Sequence, residues 1–377
     1  MTATVTARAR SVRLTAGLVT DAHAFAGLAP AWERLFGRCA AATPFQSHAW
    51  LHSWWLSYGR PGRLRLLVVR AGRDLVAAAP LMLVRRPLPA LLPLGTGISD
   101  YADVLLDDAD DGPVADALTA VLADAARTAL VDFREVRPGG AVERVYERWP
   151  GPCRTVPDSP CLELPALPME GLIARLPSAK SGQRARAQLR RLAALGVRRR
   201  TVGPAEVETA LVRLLALHRL QWQGRDVTSE HLRPRFREHL LRAVGSMVRS
   251  GNAVVTEFRI GDEVVAVDLT LLSDGMAGGY LYGAHPGLRE RRADVAVMLL
   301  DACSELTVGG GHGTLSLLRG DEPYKRHWHP ERVVSRRLLM ARGPTAPLLT
   351  AALYEAVARQ RGRTVRHRWR ERGRDRP

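Results

Sequence analysis

Residues 66–83, LLVVRAGRDLVAAAPLML, and residues 255–272, VTEFRIGDEVVAVDLTLL, decide the fold. Each is a pair of apolar runs around a glycine and an acid, the pattern of two strands joined by a tight turn. Laid on one another without a gap, they match Arg70 with Arg259, Gly72 with Gly261, Val76 with Val265, Ala77 with Ala266 and Leu83 with Leu272. The surroundings repeat as well. In the first half, strands at 64–70 and 75–84 and a further strand through Leu94 to Ile98 and Val104 precede a helix near 114–127 and a strand at 130–136. In the second, strands near 252–260, 264–273 and 276–284 precede a helix at about 293–307 and a strand at 313–318.

The expected architecture is therefore α/β (α+β), a tandem of two similar units, each a mixed, mostly antiparallel sheet flanked by helices. Helices at 21–42 and 45–58, with Trp32, Leu35, Phe36, Trp50, Trp54 and Trp55 at three and four residue steps, open the first unit. Helices at 180–195, 204–222 and 229–250 lie between the two meanders. Residues 1–155 are expected to form the first unit and 156–178, in a stretch rich in proline, the linker. Residues 179–345 form the second unit, and 346–377 a helix and a basic disordered tail.

A chain of 377 residues, 46% hydrophobic, can bury a sizeable core, which excludes wholesale disorder and collagen, coiled-coil or disulfide-scaffold classes. Cys39, Cys153, Cys161 and Cys303 form no CxxC, so reduced thiols and a cytoplasmic setting are expected. No apolar run reaches the roughly 20 residues of a membrane helix, and no apolar segment follows Arg8, Arg10 and Arg13 to make a signal peptide.

The formal net charge is +17, and 53 of the 55 basic residues are arginines. The tail from Arg359 carries nine arginines against Glu371 and Asp375, and Arg175–Arg200 holds nine basic residues and no acid. Such runs read either as a phosphate-tracking surface or as a solvated helix face with a frayed tail. The tail from Arg363 on is expected to be dispensable for folding. Only Lys180 and Lys325 are lysines. A lysine can exchange a proton where arginine stays charged, so a catalytic cation is expected at one of these two.

A meander, a helix and a strand form the core succession of the GNAT acyltransferases. The motifs FQSHAWLHSWW (45–55), GISDYADV (97–104), LHRLQW (217–222) and LRGDEPYKRHW (318–328) resemble the CelD and BioF-like acetyltransferase group, which is related to the Fem and MurM aminoacyltransferases. AKSGQRARAQLRRLAALGV (179–197) is similar to the basic helix of Fem-type enzymes. The resemblance implies transfer of an acyl or aminoacyl group to a small-molecule or peptide amine. The donor would be acetyl-CoA or another acyl-CoA, or alternatively an aminoacyl-tRNA, with tRNA then a partner. A non-catalytic RNA-binding module is the reading from another class.

Attack of an amine on a thioester or ester builds an oxyanion and expels a leaving group that needs a proton. The resemblance puts catalysis on Lys325, with Asp321 and Tyr324 beside it. It puts substrate binding on Asp100, Tyr101 and Asp103; His218 and Trp222, four apart on one helix face, and Tyr282, Arg319 and Glu322 are further candidates for it. Asp100, Tyr101 and Asp103 follow Gly95 and Gly97, where the chain can turn sharply. An acyl-CoA loop would be Arg291, Arg292, Ala293, Asp294, Val295 and Ala296, with Asp294 where glycine is expected. Either Asp294 caps the following helix or the loop does not bind CoA. His285, His312, His327 and His329 match no strong zinc spacing, so no metal is expected.

Overall fold

The computed structural model describes residues 13–85, 88–109, 112–221 and 229–358. Trp222 and the tail from Arg363 lie outside the described residues.

The first half runs β1 (Leu14–Val19), α1 (Ala22–Gly27), α2 (Ala29–Phe36), α3 (His48–Tyr58), β2 (Leu64–Ala71), β3 (Asp74–Val84), β4 (Ala90–Pro93), β5 (Leu105–Leu106), α4 (Pro113–Ala125), β6 (Leu130–Val136), α5 (Val142–Glu147) and β7 (Cys153–Pro165). After α6 (Met169–Ala174) and α7 (Ala179–Ala194), the second half runs β8 (Val197–Thr201), α8 (Val207–Gln221), α9 (Pro234–Arg249), β9 (Ala253–Ile260), β10 (Glu263–Ser273), β11 (Met276–Ala284), α10 (Gly287–Glu290), α11 (Val295–Gly309), β12 (Thr314–Arg319), α12 (Pro323–Arg326) and β13 (Glu331–Met340). Residues 346–358 are helical.

The quoted hairpins are equivalent down to their defects. Ala71 pairs with Asp74 and Ile260 with Glu263 across two-residue turns, which Gly72 and Gly261 make with φ of +63° and +57°. Each hairpin then bulges at the same place, leaving Val76 and Val265 unpaired between matched partners. The identities at these positions thus mark a shared backbone irregularity.

Among the described residues all thirteen strands join one sheet in the order β1-β2-β3-β4-β6-β13-β7-β12-β11-β10-β9-β8, with β5 paired to β3. The order reads the same from both ends, and its middle pair, β13 and β7, is antiparallel, as a local twofold requires. In each half the fourth main strand pairs in parallel with the fifth over a few residues only, β4 with β6 and β11 with β12. The two strands then part, which opens the sheet between them.

The halves exchange their last strands. β7 of the first unit pairs with β12 of the second, and β13 of the second pairs with β6 of the first. The expected linker 156–178 is therefore a correction. Residues up to Pro165 are strand, and α6 follows. Pro157 and Pro160 are tolerated because β12 pairs only with Cys161–Pro165, while the β13 side bulges opposite Ser335. The expected strand through Leu94 to Val104 is corrected too. Gly95 (φ +86°) and Gly97 (φ +98°) turn the chain there, with the Ile98 N–H donating to the Gly95 carbonyl at 3.2 Å. Strands β1, β8 and β13 are additions to the sequence reading.

Between the halves α3 packs on α9, the Ser53 hydroxyl donating to the His239 carbonyl at 2.9 Å and the Trp50 ring meeting His239 edge-on at 4.5 Å. The main core fills this seam and the first half, and a second core lies under α6, α7 and α11 on the other face of the second half. All four cysteines are unbridged. Among the described residues no helix is long and apolar enough to cross a membrane.

Candidate functional site

Where β11 and β12 part, three cavities of about 520, 80 and 290 Å3 open beside one another. Tyr282 and Tyr324 line all three, and Lys325 lines the two smaller ones. Gly283 makes this possible. A Cβ there would collide with the Leu214 carbonyl and the His218 amide, so only glycine lets α8 lie against β11. His218 Nδ1 then donates to the Tyr282 carbonyl at 2.8 Å, and Gln221 Nε2 donates to the Tyr282 hydroxyl at 2.9 Å.

Lys325 is 8% exposed, and its ammonium donates to the Arg319 carbonyl at 2.9 Å and pairs with Glu322 at 2.9 Å. The short helix α12 so aims Lys325 inward and leaves Tyr324 beside it, 44% exposed. Burial of the hydroxyl end holds the Tyr324 phenol above its usual range.

The 290 Å3 cavity lies between the halves. Asp100 and Ile98 come from the first, and His218, His231, Tyr280, Arg319 and Glu322 from the second. Tyr280 closes the seam by donating to the Ile98 carbonyl at 2.9 Å. Arg319 bridges two first-half carboxylates, Asp100 at 3.2 Å and Glu135 at 3.3 Å. Burial raises the Asp100 carboxyl, and Arg319 and Lys325 oppose that rise. Burial also lowers both histidines, His231 to about 4, so the imidazoles are neutral near pH 7.

The 520 Å3 cavity is lined by Arg289, Arg292, His285 and the start of α11, with Gln188 of α7 across from them. Arg292 has φ +52°, and Asp294 accepts the Val297 N–H at 3.2 Å. Asp294 is thus the cap of α11, the first of the two readings open to it. The cap engages the Val297 amide, and the Asp294 carboxylate lines the same cavity. A carboxylate at this place disfavours an anion beside it. Arg291 does not line the cavity; its carbonyl accepts from Arg191 of α7 at 2.7 Å.

Three expected residues lie apart from the cavities. Asp321 is held by Arg326 in a two-pronged ion pair at 2.6 and 2.8 Å, which keeps its carboxyl below the usual range. Tyr101 is 1% exposed, its hydroxyl donating to Glu163 at 3.1 Å. Asp103 is buried and accepts the N–H groups of Val104, Ala141 and Val142, each at 2.7 Å, fixing the start of α5. Burial pushes its carboxyl up to about 7 against those donors. Both are buried supports because their partners lie in the fold. In the basic stretch, Arg186 pairs with Glu170, Arg199 with Asp301, and Arg200 with Glu206 and Glu257, so part of that charge is structural.

Tyr280, His231, Asp268 and Cys303 line the cavities without having been singled out in the sequence. Asp268 had a signal, a lone acid inside the apolar run VVAVDLTLL. Among the described residues no cluster of three or more His, Cys, Asp or Glu side chains could hold a metal ion.

Residues 179–326, which contain most of this site, match the family model described as an acetyltransferase (GNAT) domain. The whole fold is similar to the C-terminal domain of a putative lysylphosphatidylglycerol synthetase from Agrobacterium fabrum, at 14% identity and TM-score 0.56 over 88% of this chain and 96% of that one. It is similar to FemX at 9% identity and TM-score 0.56, over 84% and 97% of the two chains. Residues 179–326 thus match a GNAT domain, and the chain as a whole shares the fold of these structures. L-PGS from Bacillus licheniformis, at 13% identity and TM-score 0.52, covers 85% of this chain and 95% of its own. No curated protein matches the sequence. The second half carries the matched acetyltransferase (GNAT) domain, and the mixed sheet, mostly antiparallel and flanked by helices, is the one expected from the repeated hairpins.

Proposed function

We propose that the protein transfers an acyl group from an activated ester or thioester to an amine at the Tyr282–Tyr324 junction. One observation carries this reading: the two tyrosines line all three cavities, so a carrier, an acyl chain and an acceptor can meet at one point. The carrier lies in the 520 Å3 cavity and the acceptor amine in the 290 Å3 cavity. The amine nitrogen attacks the carbonyl carbon, the C–N bond forms, and the carbon–sulfur or carbon–oxygen bond to the carrier breaks. Lys325 supplies the positive charge for the oxyanion. Tyr324 gives a proton to the leaving group, and neutral His231 takes the proton released by the amine.

An acyl-CoA donor is supported by the GNAT domain and by Arg289 and Arg292 in the carrier cavity. An aminoacyl-tRNA donor is favoured by the Asp294 cap, which leaves the phosphate contacts to arginine side chains, and by the exposed Arg184 and Arg190 of the neighbouring α7. A thermal-shift screen against acyl-CoAs and charged tRNA, followed by turnover with whichever raises the melting temperature, tests this. Product formation is expected with one carrier. Salt-sensitive RNA binding without turnover would replace the reading with that of a binding module.

A further inference from the structure

The 80 Å3 pocket behind the junction runs between β10–β12 and α11. Leu299, Leu300, Leu315, Leu317 and Trp328 make its walls apolar, and Asp268 faces into it. Asp268 is 4% exposed. Its carboxylate accepts from the Thr270 hydroxyl at 2.8 Å and lies 3.8 Å from the Cys303 thiol, both neutral donors. Among the described residues it has no ion-pair partner, and Lys325, on the same pocket, is engaged by Glu322 and the Arg319 carbonyl.

A buried carboxylate with only neutral donors is costly, and an apolar wall around it cannot lower that cost. A bound cation can. The pocket volume admits a chain of a few heavy atoms and no more. A plain alkyl group would fill the walls and leave the carboxylate without a charged partner.

We propose that Asp268 selects the transferred acyl group, and that the pocket takes a short acyl chain ending in a protonated amine. This rests on the transfer reading above in one respect, that the acyl carbon lies at the Tyr282–Tyr324 junction. The apolar walls hold the methylenes, and Asp268 pairs with the ammonium. The same acyl chemistry can arrive on a thioester or on the 3′ end of an RNA, so the carrier is left to the test.

The test compares β-alanyl with butyryl, which has a methyl where β-alanyl has its ammonium. Each is presented as the primary amide, as the CoA thioester and as the 3′ ester of an RNA minihelix, and binding to the full chain is measured by calorimetry. The β-alanyl member should bind about tenfold tighter or more on every carrier that binds, and the preference should fall below about twofold in Asp268→Asn. Leu299→Phe, which fills the pocket and keeps Asp268, should weaken both members. Preference with the amides but binding of neither carrier would keep the pocket and remove both carriers. Equal binding of the two groups by the wild-type chain overturns the proposal, and carriers that still bind would leave the transfer reading standing. A preference that persists in Asp268→Asn, or no binding of any β-alanyl probe, overturns it as well.

Discussion

Glu135 and Leu318 occupy the same place in the two units, and both have a left-handed backbone, with φ of +56° and +57°. Each is the second of two residues in a bulge, on β6 between the pairs Phe133–Leu338 and Val136–Arg336, and on β12 between Ser316–Glu163 and Arg319–Cys161. Non-glycine residues adopt this conformation at a cost of about 1 kcal/mol or more, and the exchanged strand paired to each bulge, β13 or β7, holds it in place. Next to the bulge on β12, Arg319 sends its side chain to the seam, where it meets Asp100 and the Glu135 carboxylate of the other bulge. Both defects so contribute to one cleft.

Arg319→Met should lower stability by about 2 kcal/mol, because Asp100 and Glu135 lose their shared cation while half-buried to buried. The figure is kept below that of a fully buried pair because Arg319 is about one-third exposed. Adding Asp100→Asn should recover part of the loss. Urea unfolding of the two variants measures it, and additive losses would mean that the pair is not coupled.

Asp103→Ala should cost about 2–4 kcal/mol, since it leaves three buried N–H groups of Val104, Ala141 and Val142 without an acceptor. Turnover per folded molecule should stay near that of wild type. A large loss of turnover in a stably folded variant would return Asp103 to the substrate.

Burial raises the Asp268 carboxyl to about 6, above its unfolded value, so the folded chain keeps a proton there that the unfolded chain has released. This contribution is full below about pH 4 and is lost as pH rises through about 6. The groups around it on the same pocket are Tyr282 of β11, Cys303 of α11, and Tyr324 and Lys325 of α12. Asp268→Asn carries no such loss. Between pH 4 and pH 7.5 it should therefore gain up to about 3 kcal/mol relative to wild type, measured by denaturant unfolding at each pH. A difference independent of pH would show that Asp268 titrates normally.

Residues 179–345 expressed alone should fail to give a folded monomer. Without β7, strand β12 loses one of its two neighbours and β13 loses both, since it lies between β6 and β7. Co-expression with residues 13–168 should restore a compact complex, read by size exclusion and circular dichroism. A well-folded, monomeric second half would mean that the exchange is not needed for stability.

The hairpins were legible because their pairing is local and a fixed offset carries even the bulges at Val76 and Val265. Strand β7 was not, because its prolines read as a linker and its partner is distant: Cys161 pairs with Val333. No short-range pattern reports a contact of that kind. Lys325 and Tyr324 stood out by the rarity of lysine and by a motif, and both line the cavities. Tyr101 and Asp103 misled because polar side chains after glycines look like a surface turn, whereas here they satisfy buried partners. Asp268 was visible as a lone acid in an apolar strand, but the pocket around it is made by α11 and β12, which only the fold brings together.

The most direct test of transfer at the junction is turnover by Lys325→Ala with whichever carrier the screen identifies, normalised to folded protein by circular dichroism. The account predicts that kcat falls by roughly 100-fold or more while KM and the melting temperature change little, and that Lys325→Arg does not restore full activity. Near-normal turnover per folded molecule, with a marked loss of stability, would make Lys325 a strut for Glu322 and the Arg319 carbonyl and would contradict the account.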